Sequence, residues 1–392
     1  MLYITTQLPY PPISGGVIKS WRMIEHFSKN FDLSLFCFLK GNDEQWASQF
    51  EKRINLVEFD NQVFEIQRST KALLTSYVRS QTLNIYRNYS NTAKVSIERM
   101  ANEVDILFVD HYEMFQYVPK SFKGKVVLHE HNAEFVLWDR FAEIEKSVIK
   151  KNVLFLESKR IRKAETQYCK RADMVLAAPN DIQQLITAGV DSSKFKETYH
   201  LGEDVLLQED LISFEQTEKA IMFLGTLNWE ANVNGLLYFI ENIFPHVVVN
   251  EPDTVFYIVG KNPDKRLVDI ASENDKILLT GFIENVEPIY KKSRVFILPL
   301  QFGSGMKVKF LNALYRGVPT VSTKIGAEGI DVVNKQHALV AENDHEFIDG
   351  ILDLLRHEDL WSKLQHEGRS LAKEKYQWPD HLNQLMTYLE NL

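Results

Sequence analysis

The stretch FGSGMKVKFLNALYRG, residues 302–317, sets a Gly-Ser-Gly turn and two lysines at the start of a helix-like pattern. Residues of these types can hold a polyphosphate. Gly303 and Gly305 let backbone N–H groups approach an oxyanion, Ser304 can cap a helix, and Lys307 and Lys309 add positive charge where the helix dipole already favours anions. With a helix beginning near Gly305, positions 305, 309, 312 and 316 fall on one stripe, which groups Lys309, Asn312 and Arg316. Val308, Leu311 and Tyr315 fall on another. The pattern suits a diphosphate cradle, and it suits equally a capped surface helix with two solvated lysines. It is neither a P-loop, because no Gly-Lys-Ser/Thr follows a four-residue spacer, nor a complete dinucleotide fingerprint.

A second glycine loop lies in LPYPPISGGVIKSWRMIEHFSK, where Gly15 and Gly16 precede a periodic helix with Val17, Trp21, Ile24 and Phe27 on its apolar face. Here too the backbone could approach an anion at a helix N-terminus. A βα turn that needs glycine for its dihedral angles alone would look the same.

The elements that must position these loops are short apolar runs between helical stretches. LYIT, LSLFCFL, VDILFV, KVVLHE and DMVLAA form a first series, and AIMFLG, VFYIVG, ILLTG, VFILPL, PTVST and ALVAE a second. Such runs read as buried parallel strands, and their alternation with helices predicts two doubly wound α/β domains. The acidic, weakly periodic segment around 200–218 separates them. The expected limits are 1–202, 203–375, and a final helix at 376–392 that crosses back to the first domain. Ligands of open α/β sheets settle at the carboxyl ends of strands, so the expected site is the cleft faced by both glycine loops.

The chain has 392 residues, 45% hydrophobic and 25% charged, with a formal charge of -8, which suits a folded two-domain protein without a general affinity for nucleic acid. Cys37 and Cys169 lack metal-type spacing, and no Asp-x-Asp occurs, so no metal or other cofactor is expected. The amino-terminal MLYITTQLPYPP has no signal-peptide pattern and no run reaches membrane-spanning length, which predicts a cytoplasmic protein.

Several stretches in order, PYPPISGG, LHEHNAEFVLWDR, FLGTLNWEANVNGLLYF, TGFIENVEPIY and PLQFGSGMKVKFLNALYRGVPTVSTKIGAEGI, together resemble glycosyltransferase family 4. The resemblance covers nearly the whole chain. It implies a GT-B fold of two Rossmann-like domains facing across a cleft, and retaining transfer from a UDP- or GDP-linked sugar to a glycan or lipid-linked acceptor, without a metal. It implies that His131 reaches the transferred sugar, with Glu130 and Asn132 beside it. Gly15, Gly16, Gly303, Ser304, Gly305, Met306, Lys307 and Lys309 would hold the donor diphosphate. Asn312, Phe282, Ile283 and Gly225 would surround the ribose and base. Many relatives carry two glutamates eight positions apart where this chain has Ser304 and Asn312, and an Arg and a Lys in the region of GTLNWEAN. The departures keep open a catalytically weak subunit that binds a glycan or protein partner. A hydrolase would instead need two carboxylates flanking the bond, with Glu130 and Glu134 as candidates.

Two further segments stand out. Residues 146–171 concentrate Lys and Arg with Val148, Leu154, Leu156 and Ile161 interleaved, a pattern that fits contact with an anionic membrane at the inner face of the cell, or a helix packed on the first sheet. Residues 67–90 carry tyrosines and arginines at helical spacing, which would frame an acceptor pocket or simply pack.

Overall fold

Each expected apolar run becomes a strand. In the computed structural model, which describes residues 1–12, 15–66 and 69–392, the first sheet contains β1 (Leu2–Thr5), β2 (Ser34–Leu39), β3 (Glu58–Val63), β4 (Ile106–Asp110), β5 (Lys125–His129), β6 (Met174–Ala177) and β7 (Phe195–Glu197). Ile13 and Ser14 of the first glycine loop, and Gln67 and Arg68, lie outside the described residues. The strands are parallel, in the order β3-β2-β1-β4-β5-β6-β7. Strands β1, β2 and β4 are buried along nearly their whole length, as in a sheet with both faces covered. The sequence reading misses β3 and β7. Both are edge strands, β3 polar and half-exposed and β7 only three residues long, so neither makes an apolar run.

The second sheet contains β8 (Glu218–Leu224), β9 (Val255–Val259), β10 (Ile277–Gly281), β11 (Ser293–Leu298), β12 (Thr320–Thr323) and β13 (Leu339–Ala341), in the order β10-β9-β8-β11-β12-β13. All its pairings are parallel. Chain order reverses between β1 and β4 in one sheet and between β8 and β11 in the other. At such switch points the loops of neighbouring strands part and leave room for a ligand.

The chain divides into one unit of Met1–His200 with Trp378–Leu392 and another of Leu201–Gln377. The observed limits differ from the expected ones by two residues for identifiable reasons. Glu203 N–H donates to Asn312 Oδ1 at 2.9 Å, and a Cβ on Gly202 would come within 3.0 Å of the Tyr315 ring, so the 201–203 strand of chain belongs with the helix Val308–Arg316. Tyr376 accepts from Tyr315 through its carbonyl at 2.5 Å and from Asp331 N–H through its hydroxyl at 2.9 Å, which ties it to the same unit. The last helix, Trp378–Glu390, joins the first unit, where His381 Nε2 lies 3.0 Å from Thr198 Oγ1.

Candidate functional site

In the first unit the switch point gathers a buried carboxylate and several imidazoles. Asp110 ends β4 and His129 ends β5, and the two are register partners in the sheet. Asp110 Oδ1 accepts from His129 Nδ1 at 2.7 Å and His131 Nε2 at 2.6 Å, while Oδ2 accepts from Thr5 Oγ1 at 2.9 Å and Ser20 Oγ at 2.7 Å. Burial alone would raise the Asp110 pKa, yet the neighbouring His131 and His111 and the bonds from both partner imidazoles hold it well below the usual carboxylate range. Asp110 is therefore an ionised acceptor. Its two imidazole partners must present N–H to it, and in the neutral imidazole of His131 this makes Nδ1 the acceptor nitrogen.

That nitrogen lies beside the first glycine loop. A Cβ on Gly16 would sit 3.3 Å from His131 Nδ1, so glycine keeps the approach clear at the start of the helix Gly15–Phe27. The His111 ring stacks on His131 at 3.7 Å and 8°, and its backbone takes φ 76, an uncommon conformation for a residue with a side chain. His200 Nε2–H donates to the His131 carbonyl at 3.0 Å. Burial, and secondly the neighbouring His131, bring His111 down to about 4. Burial, and then Lys19, depress His129 and His200. The outcome is one imidazole fixed in ring orientation and tautomer, able to accept a hydrogen bond from a hydroxyl group or to carry a proton.

Glu130 does not join this cluster. Side chains alternate along a strand, and His129 and His131 turn to Asp110 while Glu130 turns to Cys169, whose Sγ lies 3.8 Å from Oε1. Burial and the nearby Glu165 raise Glu130 well above the usual carboxylate range, making it a neutral core group. Asn132 is half-buried in the turn that follows. Glu134, the other hydrolase candidate, accepts from Trp138 Nε1 at 3.1 Å and Asn84 at 3.3 Å, and burial, with Glu113 nearby, lifts it to about 7. Sequence reading does not single out Asp110, Lys19, His111, His129 or His200. The repeated histidine in HEH is the one local signal that could have drawn attention to His129.

In the second unit the switch point gathers glycine and lysine. Lys309 Nζ donates to Asn232 Oδ1 at 2.7 Å, lies 4.3 Å from the centre of the Phe223 ring, and would be only 2.7 Å from a Cβ on Gly225. Burial, then the charge of Lys307, bring Lys309 down to about 7, and among the described residues no carboxylate pairs with it. Lys307 is served differently. Its ammonium donates to the carbonyls of Ser304, at 3.3 Å, and Gly305, and stands 4.0 Å from Glu328.

The helix begins at Val308 with Lys307 as its N-cap, so Ser304 does not cap it as expected. Gly303 at φ 150 and Gly305 at φ 70 keep the loop non-helical until Lys307, in conformations that favour glycine. Met306 is buried. The expected grouping of Lys309, Asn312 and Arg316 also separates by partner. Asn312 Oδ1 is engaged by Glu203 N–H, and Arg316 bonds Glu287 at 2.9 Å through Nε while lying 4.2 Å over the Tyr290 ring. Phe282, 73% exposed, and half-buried Ile283 follow β10, two positions across the sheet from β8. Asn232 is a further residue the motif reading misses. Its Nδ2 donates to Thr226 O at 2.8 Å, which aims its oxygen at Lys309.

Helix Val148–Arg171 has one packed face and one exposed face. Ile161, Glu157 and Glu165 are buried, whereas Val148, Ile149 and Leu156 are 73%, 79% and 53% exposed. Arg160 joins it to the helix Thr70–Val78, with its guanidinium 4.0 Å over Tyr77, and that helix exposes Leu74 and Val78. Among the described residues no helix is long and apolar enough to cross a membrane.

Residues 218–357 match the family described as glycosyl transferases group 1. An uncharacterised 44.6 kDa protein of the cps region of Klebsiella pneumoniae is 22% identical over 384 residues, 96% of each chain. Among solved structures, HepE of Anabaena in complex with UDP superposes with a TM-score of 0.71 at 13% identity over 100% of this chain and 99% of that one. Sucrose-phosphate synthase of Thermosynechococcus elongatus gives 0.72 at 11% identity over 100% and 98%. The architecture, two doubly wound parallel sheets in two units, is thus the GT-B fold of glycosyltransferases, as expected from sequence.

Proposed function

We propose that the chain is a metal-independent, retaining glycosyltransferase of family 4 that moves a sugar from a UDP- or GDP-linked donor to a glycan or lipid-linked acceptor in surface-polysaccharide assembly. The observation that carries the reading is Lys309, a partly buried ammonium on the helix Val308–Arg316 that reaches Gly225 just beyond β8 and has, among the described residues, no carboxylate beside it. A lowered lysine in a glycine-lined recess gains most from an anion that restores its charge. UDP bound to the HepE structure and the cps-region setting of the Klebsiella relative support the donor class and the pathway class. The leaving diphosphate would be stabilised by loop amides with Lys307 and Lys309. His131 would hold a hydroxyl of the transferred sugar through Nδ1, and a donor phosphate oxygen would take the acceptor proton.

Asp110, His129 and His131 offer ligand atoms within 4.8 Å of one another. The 2.6 and 2.7 Å separations are those of hydrogen bonds to one carboxylate oxygen, which is how the three groups are used in this reading. A catalytically weak subunit is the second reading, favoured by the engagement of Asn312 Oδ1 with Glu203 N–H. Release of nucleotide on addition of an acceptor would exclude it.

A thermal-shift panel of UDP, GDP, ADP and dTDP tests the donor assignment. The matching nucleotide at 100 times its dissociation constant should stabilise the protein by about 2.7 kcal/mol. No shift with any of the four would remove the basis for a nucleotide-sugar enzyme.

For a lipid-linked acceptor, the exposed Val148, Ile149 and Leu156 with Lys146, Lys150 and Lys151 would rest on an anionic membrane at its cytoplasmic face. Ile149→Glu with Leu156→Glu should reduce sedimentation with vesicles containing phosphatidylglycerol by about tenfold, and added salt should weaken wild-type binding. Equal binding to neutral and anionic vesicles would contradict this contact.

A further inference from the structure

The segment GTLNWEAN, residues 225–232, follows β8 and opens the helix Glu230–Asn242 without a lysine or arginine. What it brings to the Lys309 ammonium is an amide. Asn232 is 6% exposed and both ends of its amide are engaged, Nδ2 donating to Thr226 O at 2.8 Å and Oδ1 accepting from Lys309 Nζ at 2.7 Å. The two partners fix the orientation of the amide, because a carbonyl only accepts and an ammonium only donates. Leucine at this position would leave both partners unmet, and aspartate would set an oxygen against the Thr226 carbonyl. The centre of the Phe223 ring lies 4.3 Å from the same ammonium. A Cβ on Gly225 would come within 2.7 Å of Lys309 Nζ and 3.1 Å of Asn232 Nδ2, so glycine keeps the space beside this pair free. Lys307 is the charged neighbour that acts on Lys309, and among the described residues no carboxylate does.

We propose that Asn232 is a positioning residue that anchors the Lys309 ammonium through a neutral acceptor and so reserves its charge for an anionic ligand, the diphosphate of a nucleotide in the proposed reaction. An ammonium has three N–H donors, and the amide uses one of them. A carboxylate at 232 would form a charge-assisted bond with Lys309, and an arriving diphosphate would have to compete with it. A hydrocarbon of similar size would leave a nearly buried carbonyl and the ammonium without this partner. The amide avoids both outcomes, holding the lysine in place while leaving its counter-charge to the ligand. The same side chain ties the loop after β8 to the helix Val308–Arg316, since it joins Thr226 to a lysine 77 positions beyond it. That the ligand is a nucleoside diphosphate rests on the proposed glycosyl transfer, whereas the tuning of Lys309 by Asn232 does not.

Lysine ¹³Cε titrations of the full chain, with the Lys309 signal assigned by its loss in Lys309→Ala, test the tuning without any ligand. Asn232→Asp should raise the proton affinity of Lys309 by about tenfold or more, the scale of one adjacent opposite charge, and Asn232→Leu should lower it. Opposite shifts separate tuning from a mere loss of packing, which would move both variants the same way. Calorimetry with UDP and with GDP tests the consequence. Both variants should weaken the nucleotide that wild type binds by about tenfold or more. In Asn232→Asp the decline of affinity between pH 7 and 9 should disappear, because the lysine stays charged throughout, whereas in Asn232→Leu it should persist. Should both variants fail to fold, wild type still decides, since the side-chain amide ¹⁵N of Asn232 must follow the inflection of Lys309. Equal Lys309 titrations in wild type and folded Asn232→Asp, an Asn232 amide blind to that inflection, or undiminished nucleotide binding in Asn232→Asp would overturn the proposal. Opposite lysine shifts in a protein that binds neither UDP nor GDP would refute the nucleotide reading and uphold the tuning of Lys309 by Asn232.

Discussion

Lys309→Ala is expected to weaken binding of the nucleotide-sugar donor by about 10- to 100-fold, the range spanned by roughly 1.5–3 kcal/mol for a hydrogen bond to a charged group. Lys307→Ala should cost less. The sequence alone suggests this ranking from a shared helix stripe with Asn312, but the structure supplies a different reason. Lys307 already spends its ammonium on the carbonyls of Ser304 and Gly305 and stands 4.0 Å from Glu328. Lys309 has a neutral amide oxygen and an aromatic face, with no carboxylate among the described residues. An arriving diphosphate therefore supplies the only full counter-charge that Lys309 gains. The sign of the pH dependence follows. With Lys309 near 7 in the free protein and raised by bound phosphate, binding takes up a proton above neutrality, and affinity for a nucleotide sugar should fall as pH rises from 7 to 9. The change should vanish in Lys309→Ala. A flat affinity profile in wild type would mean that Lys309 does not meet the phosphates.

His131→Ala is expected to lower kcat by about 10- to 100-fold, the scale of roughly 1.5–3 kcal/mol for a hydrogen bond that strengthens on the transferred sugar in the transition state, and to leave the affinity for nucleoside diphosphate within about twofold. The separation is expected because His131 and Lys309 lie in different units, each at its own switch point. Loss of nucleotide affinity in His131→Ala at unchanged kcat would reverse the assigned roles. Glu130→Gln serves as the contrast. Glu130 is a neutral core acid turned toward Cys169, so an amide of the same shape should change activity little.

The fold was legible to the extent that it is written in apolar runs. β1, β2 and β4–β6 in the first sheet and all six strands of the second have such runs, whereas β3 and β7 are edges that need none. Within the candidate site, what was legible was local. Gly303, Gly305, Lys307 and Lys309 are close in sequence, and a short glycine loop ahead of a helix announces itself. The partners that complete each centre come from far along the chain. Asp110 meets Ser20 and Thr5 across 90 and 105 residues, and Lys309 meets Asn232 across 77. No spacing rule reaches them. Two errors share a cause, the reading of adjacency as contact. Ser304 precedes the helix but the positive φ of Gly305 delays its start, and Glu130 sits beside His131 in sequence but on the opposite side of the strand.

Calorimetric titration of the matching nucleotide sugar into wild type and Lys309→Ala, in two buffers of different ionisation enthalpy at pH 8, tests the central claim most directly. The account predicts saturable binding with net proton uptake in wild type, and weaker binding without uptake in Lys309→Ala. Tight binding with no proton exchange in wild type, or equal affinity in the two proteins, would contradict it.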